Sequence, residues 1–283
     1  MRERWHGDGI LRFGYQNARG VGVHRGLDAA TEINMMQEMG VNAQGLGECN
    51  KPWTDGNKSL YDHIMGIIFE NPRTIYSSAP LTTLQNKYQR GGTLLSLVGT
   101  LAGRVKRMEG DPCGRYCWAS VMGKRDEGIL IVSGYRVCQD STSNAGPFTA
   151  YQQQCTFMRE AGQSNPNPRR QFFKDLLAVI GSQREKGYRP IIMLDANGDW
   201  NRKDTDFRDF LRKSNLVDAF YEKFRESPRT YMYSKNRLDY ILVDRALCSA
   251  ITAIGYCGTH SGAHSDPVYA YMDMDEERLL GGL

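Results

Sequence analysis

What most constrains this chain is where its apolar runs stop. Ile10-Leu11-Arg12-Phe13-Gly14-Tyr15 reads as a strand that ends at Gln16-Asn17. A helix follows from about Asp28 to Met39: Asp28 is placed to cap it, and Ala29, Ala30, Ile33, Met36 and Met39 fall mostly on one face. Val41 to Gly47 forms a second strand that stops at Glu48. Far along the chain, the buried-strand run Pro190-Ile191-Ile192-Met193-Leu194 delivers Asp195-Ala196-Asn197-Gly198. A chain that repeatedly ends strands on amides and carboxylates builds a rigid scaffold with polar groups at its rim.

Between these landmarks the pattern is a meander. Strands are expected at Ile64–Phe69, Thr74–Ser78, Thr93–Gly99, Trp118–Met122 and Ile129–Tyr135, with turns at Gly91-Gly92 and from Lys124 to Gly128. Short strands joined this way pair antiparallel. Asp140 to Pro147 reads as a polar loop, Phe148–Ala161 as helical and Gln163 to Pro168 as a break. An amphipathic helix is expected from Arg169 to Glu185, where Phe172, Phe173, Leu176, Leu177, Val179 and Ile180 keep a helical period. A short helix at Phe207–Lys213 leads to the apolar stretch Leu216–Phe220. Strands at Thr230–Tyr233, Leu238–Val243 and Val268–Met272 complete the pattern. With helices early and late and pairing strands between, the order predicts two packed sheets with helices outside each. No domain boundary is visible, so all 283 residues read as a single domain with a core over residues 9–273.

Composition narrows the class. A net charge of +4 permits a polyanionic partner without requiring one. Seven cysteines, odd in number and irregular in spacing, read as free thiols in a reducing compartment, nucleus or cytoplasm; Cys113 and Cys117 lack the second pair a zinc site needs. No apolar run approaches the roughly 20 residues of a membrane helix. No apolar segment follows the basic first residues, as a secretory signal requires. There is no G-x-x-x-x-G-K-[ST] loop, G-x-S-x-G elbow or H-E-x-x-H pair, which removes the common nucleotide-binding, serine-hydrolase and zinc-protease chemistries.

What remains are polar groups at strand ends: Asn17, Glu48, Asp195 with Asn197, Asp239 in Arg237-Leu238-Asp239-Tyr240-Ile241, and Asp266 in His264-Ser265-Asp266-Pro267. Any one alone is equally a turn former or a helix cap. As a set they supply what phosphodiester cleavage needs. Carboxylates with waters hold Mg²⁺ or Mn²⁺, a base takes a proton from water, and fixed donors meet the developing charge.

The series Tyr15-Gln16-Asn17, Gly47-Glu48, Gly91-Gly92, Gly134-Tyr135-Arg136, Leu194-Asp195-Ala196-Asn197, Arg237-Leu238-Asp239-Tyr240-Ile241 and Ser265-Asp266 resembles the endonuclease/exonuclease/phosphatase superfamily, which includes deoxyribonuclease-I-like nucleases. The motifs follow family order across nearly the whole chain. A softer likeness is to the endonuclease domains of non-long-terminal-repeat retroelements, which suggests a piece of a larger polyprotein. The resemblance implies a four-layer α/β/β/α sandwich of two mainly antiparallel sheets flanked by helices. It implies a metal-dependent endonuclease acting on DNA, with Glu48, Asn17 and Asp266 at the metal. Tyr135 would contact the scissile phosphate. Asp195 would orient or deprotonate the water beside the phosphate-binding Asn197, and Asp239 would hold a catalytic histidine. Gly198-Asp199-Trp200-Asn201 spells a rival register for Asp195 and Asn197, but lies further from the strand.

The departure is at the end of the pattern, where Pro267 stands in place of the family's histidine. Proline moves no proton, and loss of such a group costs about 10²–10⁴-fold in rate. His264 is the candidate substitute, a solvated loop histidine the alternative. Arg90 and Arg136, beside the glycine pair and Tyr135, are the expected nucleic-acid contacts. Arg19, Arg25, Lys51, Arg169 and Arg170 are further candidates, and Trp53 and Tyr88 are candidate base-stacking rings. The acidic run Asp273 to Glu277 is expected away from the cleft, as a helix start or tail. Two competing functions stay open: a phosphatase of phosphoinositides or small phosphate esters, and an inactive relative that only binds nucleic acid.

Overall fold

The computed structural model describes residues 7–22, 27–80, 89–124, 127–138, 149–201, 204–226, 230, 236–257 and 268–281. In chain order the elements are β1 (Ile10–Asn17), α1 (Leu27–Glu38), β2 (Ala43–Gly47), α2 (Asp55–Ile68), β3 (Arg73–Ser77), β4 (Thr93–Leu97), α3 (Gly99–Gly103), β5 (Val105–Gly110), β6 (Tyr116–Met122) and β7 (Gly128–Tyr135). Then come α4 (Ala150–Glu160), α5 (Pro168–Arg184), β8 (Tyr188–Asp195), α6 (Thr205–Ser214), β9 (Leu216–Asp218), α7 (Ala219–Phe224), β10 (Asp239–Asp244), β11 (Ile251–Cys257), β12 (Tyr269–Asp275) and α8 (Glu276–Leu280).

The strands form two six-stranded sheets, ordered β11-β12-β1-β2-β4-β3 and β5-β6-β7-β8-β10-β9. Each is antiparallel except for one central parallel pair, β1 with β2 and β7 with β8. Parallel neighbours need a crossover, and helices supply it: α1 joins the first pair, α4 and α5 the second. Three apolar cores separate four layers. Leu11, Phe13, Leu95, Ile131, Met193, Ile241 and Met272 fill the space between the sheets. Ile33, Met36, Trp53, Tyr61 and Met65 form a second core around Leu46 and Leu94 of the first sheet. Phe172, Phe173, Leu176 and Ile180 form a third around Leu194 and Leu242 of the second. Strands β2, β4 and β7 are buried along their whole length, as interior strands covered on both faces must be.

The expected α/β/β/α sandwich is therefore present. The start of α5 follows its sequence signal, Pro168 opening the helix and Asn167 accepting the Arg170 N–H at 3.0 Å, whereas α1 opens at Leu27, so Asp28, the expected cap, lies within its first turn. The strand expected at Ile64–Phe69 is instead the last part of α2. Tyr61, Ile64, Met65 and Ile68 are spaced for a helix face against the core that includes Trp53, and Thr54 caps the start. Ile67, at 71% exposure, is what made the segment look like a continuous apolar run. Strands β5 and β11 went unanticipated because each carries exposed residues among its apolar ones. The acidic run divides between two elements. Asp273 lies buried in β12, paired with Arg12 of β1 at 2.6 Å, while Asp275 caps α8, the expected helix start. The loop expected at 140–147 and most of the strand expected at 230–233 lie outside the described residues.

Candidate active site

The site forms where both parallel pairs end. Asn17 lies opposite Gly47 in the first pair, so Asn17 and Glu48 leave that sheet side by side. Tyr135 lies opposite Asp195 in the second, and β10 brings Asp239 opposite Asp195 from the other side. Asn17 closes the gap between the sheets. Its Nδ2 donates to Glu48 Oε2 at 2.9 Å and to Asp195 Oδ2 at 2.8 Å. Thus an amide and two carboxylates from three distant places in the chain share one hydrogen-bonded junction.

Glu48 reaches it from a left-handed backbone, φ 50°, and Arg19, Asn50 and Asn197 around the same junction are also left-handed. For a glutamate this costs about 1 kcal/mol or more, and neighbouring contacts must hold it. The Gly91-Gly92 turn does so. Cys49 N–H donates to Gly92 O at 3.1 Å, Asn50 N–H to Gly91 O at 2.7 Å, and Gly91 N–H to Asn50 Oδ1 at 2.9 Å. Both glycines have positive φ, and a Cβ on Gly92 would sit 3.1 Å from the Ser77 carbonyl, so the turn needs glycine there.

Asp195 is 3% exposed. Its Oδ1 accepts the Asn197 N–H at 2.8 Å. Burial pushes its carboxyl well above the usual range, and the Asp239 carboxylate pushes it further, against the hydrogen bonds from Asn197 and Asn17. Asp239 is pushed up to about 7 by burial, against a Thr230 hydrogen bond and the charges of Arg237 and Arg19. Its Oδ1 is buried without a hydrogen-bond partner among the described residues. Asn197 is oriented by donating from Nδ2 to Arg136 O at 2.7 Å and accepting the Cys138 thiol at 3.1 Å. Burial, then the charge of Glu48, raises the Tyr135 phenol well above its ordinary value, so it stays protonated.

The rival Asp199 accepts the Asn201 N–H at 3.0 Å and lines a neighbouring cavity of about 530 Å³; Asp195 is the one that meets Asn17. Two expected nucleic-acid contacts are differently placed. Arg136 is 2% exposed and stacks 4.4 Å from the Phe173 ring. Its guanidinium is spent on Asp204, Arg169 O and Ala196 O, so it braces the Asp195 loop from behind instead of facing a substrate. Arg169 is drawn into the same bracket through Val137 O, Asn197 O and Asp204. Trp53 packs 4.5 Å from Tyr76 in the core, and Lys51 is buried. Buried positions attract aromatic rings and alkyl stems as readily as ligands do, which is why sequence alone placed these residues at the surface. Arg90, Arg19 and Arg170 are exposed. His260, His264, Asp266, Pro267, Arg25 and Tyr88 lie outside the described residues.

Three contributors were given no role from the sequence. Tyr15 was signalled by standing two residues before Asn17, hence on the same strand face. Asn50 follows Glu48 closely. Asp204, which caps α6 and pairs with both bracing arginines, had no signal beyond its cap position. Among the described residues no three His, Cys, Asp or Glu side chains cluster closely enough to cage a metal by themselves. The hard oxygens that do converge, on the Asn17 amide nitrogen, are those of Glu48 and Asp195, and two carboxylates suit Mg²⁺, which takes one or two and keeps waters.

No protein-family model and no curated protein matches the sequence. Solved structures do match in shape. An AP endonuclease from Leishmania major aligns with TM-score 0.66 and 16% identity over 96% of this chain and 92% of that one. A 3′ phosphatase from Neisseria, bound to product DNA hairpin, aligns with TM-score 0.63 and 13% identity over 94% and 99%. The catalytic domain of human nocturnin aligns with TM-score 0.60 and 13% identity over 96% and 95%. The chain has the DNase I-like endonuclease/exonuclease/phosphatase fold.

Proposed function

We propose that this protein is a divalent-metal-dependent phosphodiester hydrolase that nicks DNA. The observation that carries the reading is the junction of Asn17, Glu48 and Asp195 at the ends of the two parallel strand pairs. Glu48 would hold Mg²⁺ or Mn²⁺, with Asn17 and Asp266 as further ligands. Bound there, the cation would neutralise phosphate oxygens and stabilise the charge that develops as the bond breaks. Asp195, whose carboxyl is raised above its ordinary value by burial and by Asp239, would take a proton from an attacking water. Asn197 keeps that carboxylate aimed through its backbone N–H. Tyr135, protonated and at the strand end, is a donor toward a phosphate. Arg90 and Arg19 supply exposed positive charge to track the backbone, with binding that weakens as salt rises. DNA as substrate is favoured by the neighbours' own substrates, among them a product DNA hairpin on the Neisseria protein. An intracellular setting, nucleus or cytoplasm, goes with the same reading, and so does an origin as part of a larger retroelement-type polyprotein.

Purified protein incubated with supercoiled plasmid and Mg²⁺ or Mn²⁺ is expected to give nicked circles. EDTA, Glu48→Ala and Asp195→Ala should each abolish them. Nicking no greater than that of the double variant would overturn the reading. Pro267, where the resemblance calls for histidine, favours a second reading in which the protein binds nucleic acid without cutting it. Pro267→His separates the two: a large gain in nicking means that the remaining apparatus works, and salt-sensitive binding with no gain supports the binder.

A further inference from the structure

We infer that Tyr15 is a positioning residue for this site, its hydroxyl fixing from the opposite sheet the backbone that carries Asp195 and Tyr135. For its kinetic consequence the inference rests on the hydrolase reading; for its structural consequence it stands alone.

Alternation along β1 puts Leu11, Phe13, Tyr15 and Asn17 on the face toward the second sheet. Leu11, Phe13 and Tyr15 all belong to the core between the sheets, among Ile131, Met193 and Ile241. A phenol fully buried in such surroundings must find polar partners. Tyr15 finds two, both at the site. Its O–H donates to Gly134 O at 2.6 Å and accepts the Asp195 N–H at 2.9 Å. One partner is in β7, one residue before Tyr135; the other is Asp195 itself, at the end of β8. The phenol therefore ties the ends of the second parallel pair together, using an atom of the first sheet.

The space for it is specific. A Cβ on Gly47 would collide with the Tyr15 hydroxyl, and a Cβ on Gly45 would come 3.0 Å from its ring. Two glycines of β2 thus leave the channel through which the tyrosine crosses. Asn17, two residues further along β1, then holds the Asp195 side chain at 2.8 Å. One strand fixes both the main chain and the carboxylate of the proposed base. Misplacing a reacting group by about 1 Å can cost roughly 10²-fold in rate, which is the scale at which such a tie matters.

The test uses Tyr15→Phe, which retains the ring, and Ser133→Ala as a control. Ser133 Oγ makes another contact between the sheets, to Leu46 O at 3.4 Å, without touching Asp195. Amide hydrogen exchange is read by NMR. Tyr15→Phe is expected to speed exchange at the Asp195 and Asn197 amides by about tenfold or more while Ile191 and Ile192 stay protected; Ser133→Ala should leave Asp195 unchanged. In plasmid nicking well below the melting temperature, Tyr15→Phe should lower kcat about 10- to 100-fold with KM within about threefold, and Ser133→Ala should match the wild type. Gly47→Ala, which crowds the hydroxyl from the other side, should reproduce the exchange pattern of Tyr15→Phe and covers the case in which that variant folds poorly. Unchanged exchange at Asp195, or equal acceleration all along β8, would overturn the inference. So would an unchanged kcat in a wild type that nicks. If the wild type does not nick, the hydrolase reading falls, and the exchange pattern alone decides whether Tyr15 holds Asp195.

Discussion

The two parallel strand pairs end at one place but in different surroundings. Asn17 and Glu48, at the end of the first, are half-buried and sit among left-handed residues in loops held mainly by backbone hydrogen bonds. Tyr135 and Asp195, at the end of the second, are 5% and 3% exposed, braced from behind by Arg136, Arg169 and Asp204 and from across the interface by Tyr15. The first end is open to solvent and offers oxygens that a hydrated cation can reach. The second is dry and rigid, and burial there raises carboxylate basicity at a cost in stability. The proposed hydrolysis would use both kinds of place, a wet one for the ion and a dry one for the base.

If that division is right, substitutions at the two ends fail differently. Glu48→Gln and Asp195→Asn should each lower nicking by about 10²–10⁴-fold. Activity of the Glu48 variant should recover partly as Mg²⁺ or Mn²⁺ is raised, and that of the Asp195 variant should not. Metal titrations of nicking rate check this, and equal recovery of both would erase the distinction. The bracing of the dry end is tested by Asp204→Ala, which strands two buried guanidinium groups and uncaps α6. It should cost about 3–5 kcal/mol in urea unfolding, several times the effect of removing an exposed partner such as Asp209 beside Arg212.

The smallest effect concerns pH. Asp239, at about 7 when folded, compares with an ordinary value near 3.9 when unfolded. Below about pH 4 both states hold the proton and the buried group costs nothing. As pH rises toward 7 the unfolded chain releases its proton first, so stability falls; above 7 the penalty is constant. Asp239→Asn should therefore stabilise the metal-free protein by about 1–3 kcal/mol at pH 8, or a few degrees in Tm, and by almost nothing at pH 4. Calorimetry at the two pH values decides. A gain equal at both would mean that the charge is not the cause.

These contrasts also explain what the sequence disclosed. Asn17, Glu48 and Asp195 were visible because an apolar run followed at once by a polar residue is a local signal, and strand ends need no knowledge of the partner sheet. The α5 helix was visible for the same kind of reason, through its repeat of Phe172, Phe173, Leu176 and Ile180. Arg136 was misplaced because its neighbourhood is made by Asp204 and Arg169, contacts 68 and 33 residues away that no local pattern encodes. Trp53 and Tyr15 are aromatic residues whose burial is decided by what folds over them. The α2 segment misled because exposed Ile67 filled a gap in an otherwise helical spacing.

Arg12 and Asp273 carry one more consequence. Their buried pair, 261 residues apart, fastens β1 to β12 and makes β1 an inner strand. During synthesis, the strand that bears Asn17 must wait for the 261 residues that separate Arg12 from Asp273 before its second neighbour exists. Until then it presents an open edge, the form in which strands most readily join wrong partners. Assembly of the half that bears Asn17 and Glu48 is thus governed by a partner strand made long after it, which points to slow maturation and to a need for chaperones when the protein is made rapidly.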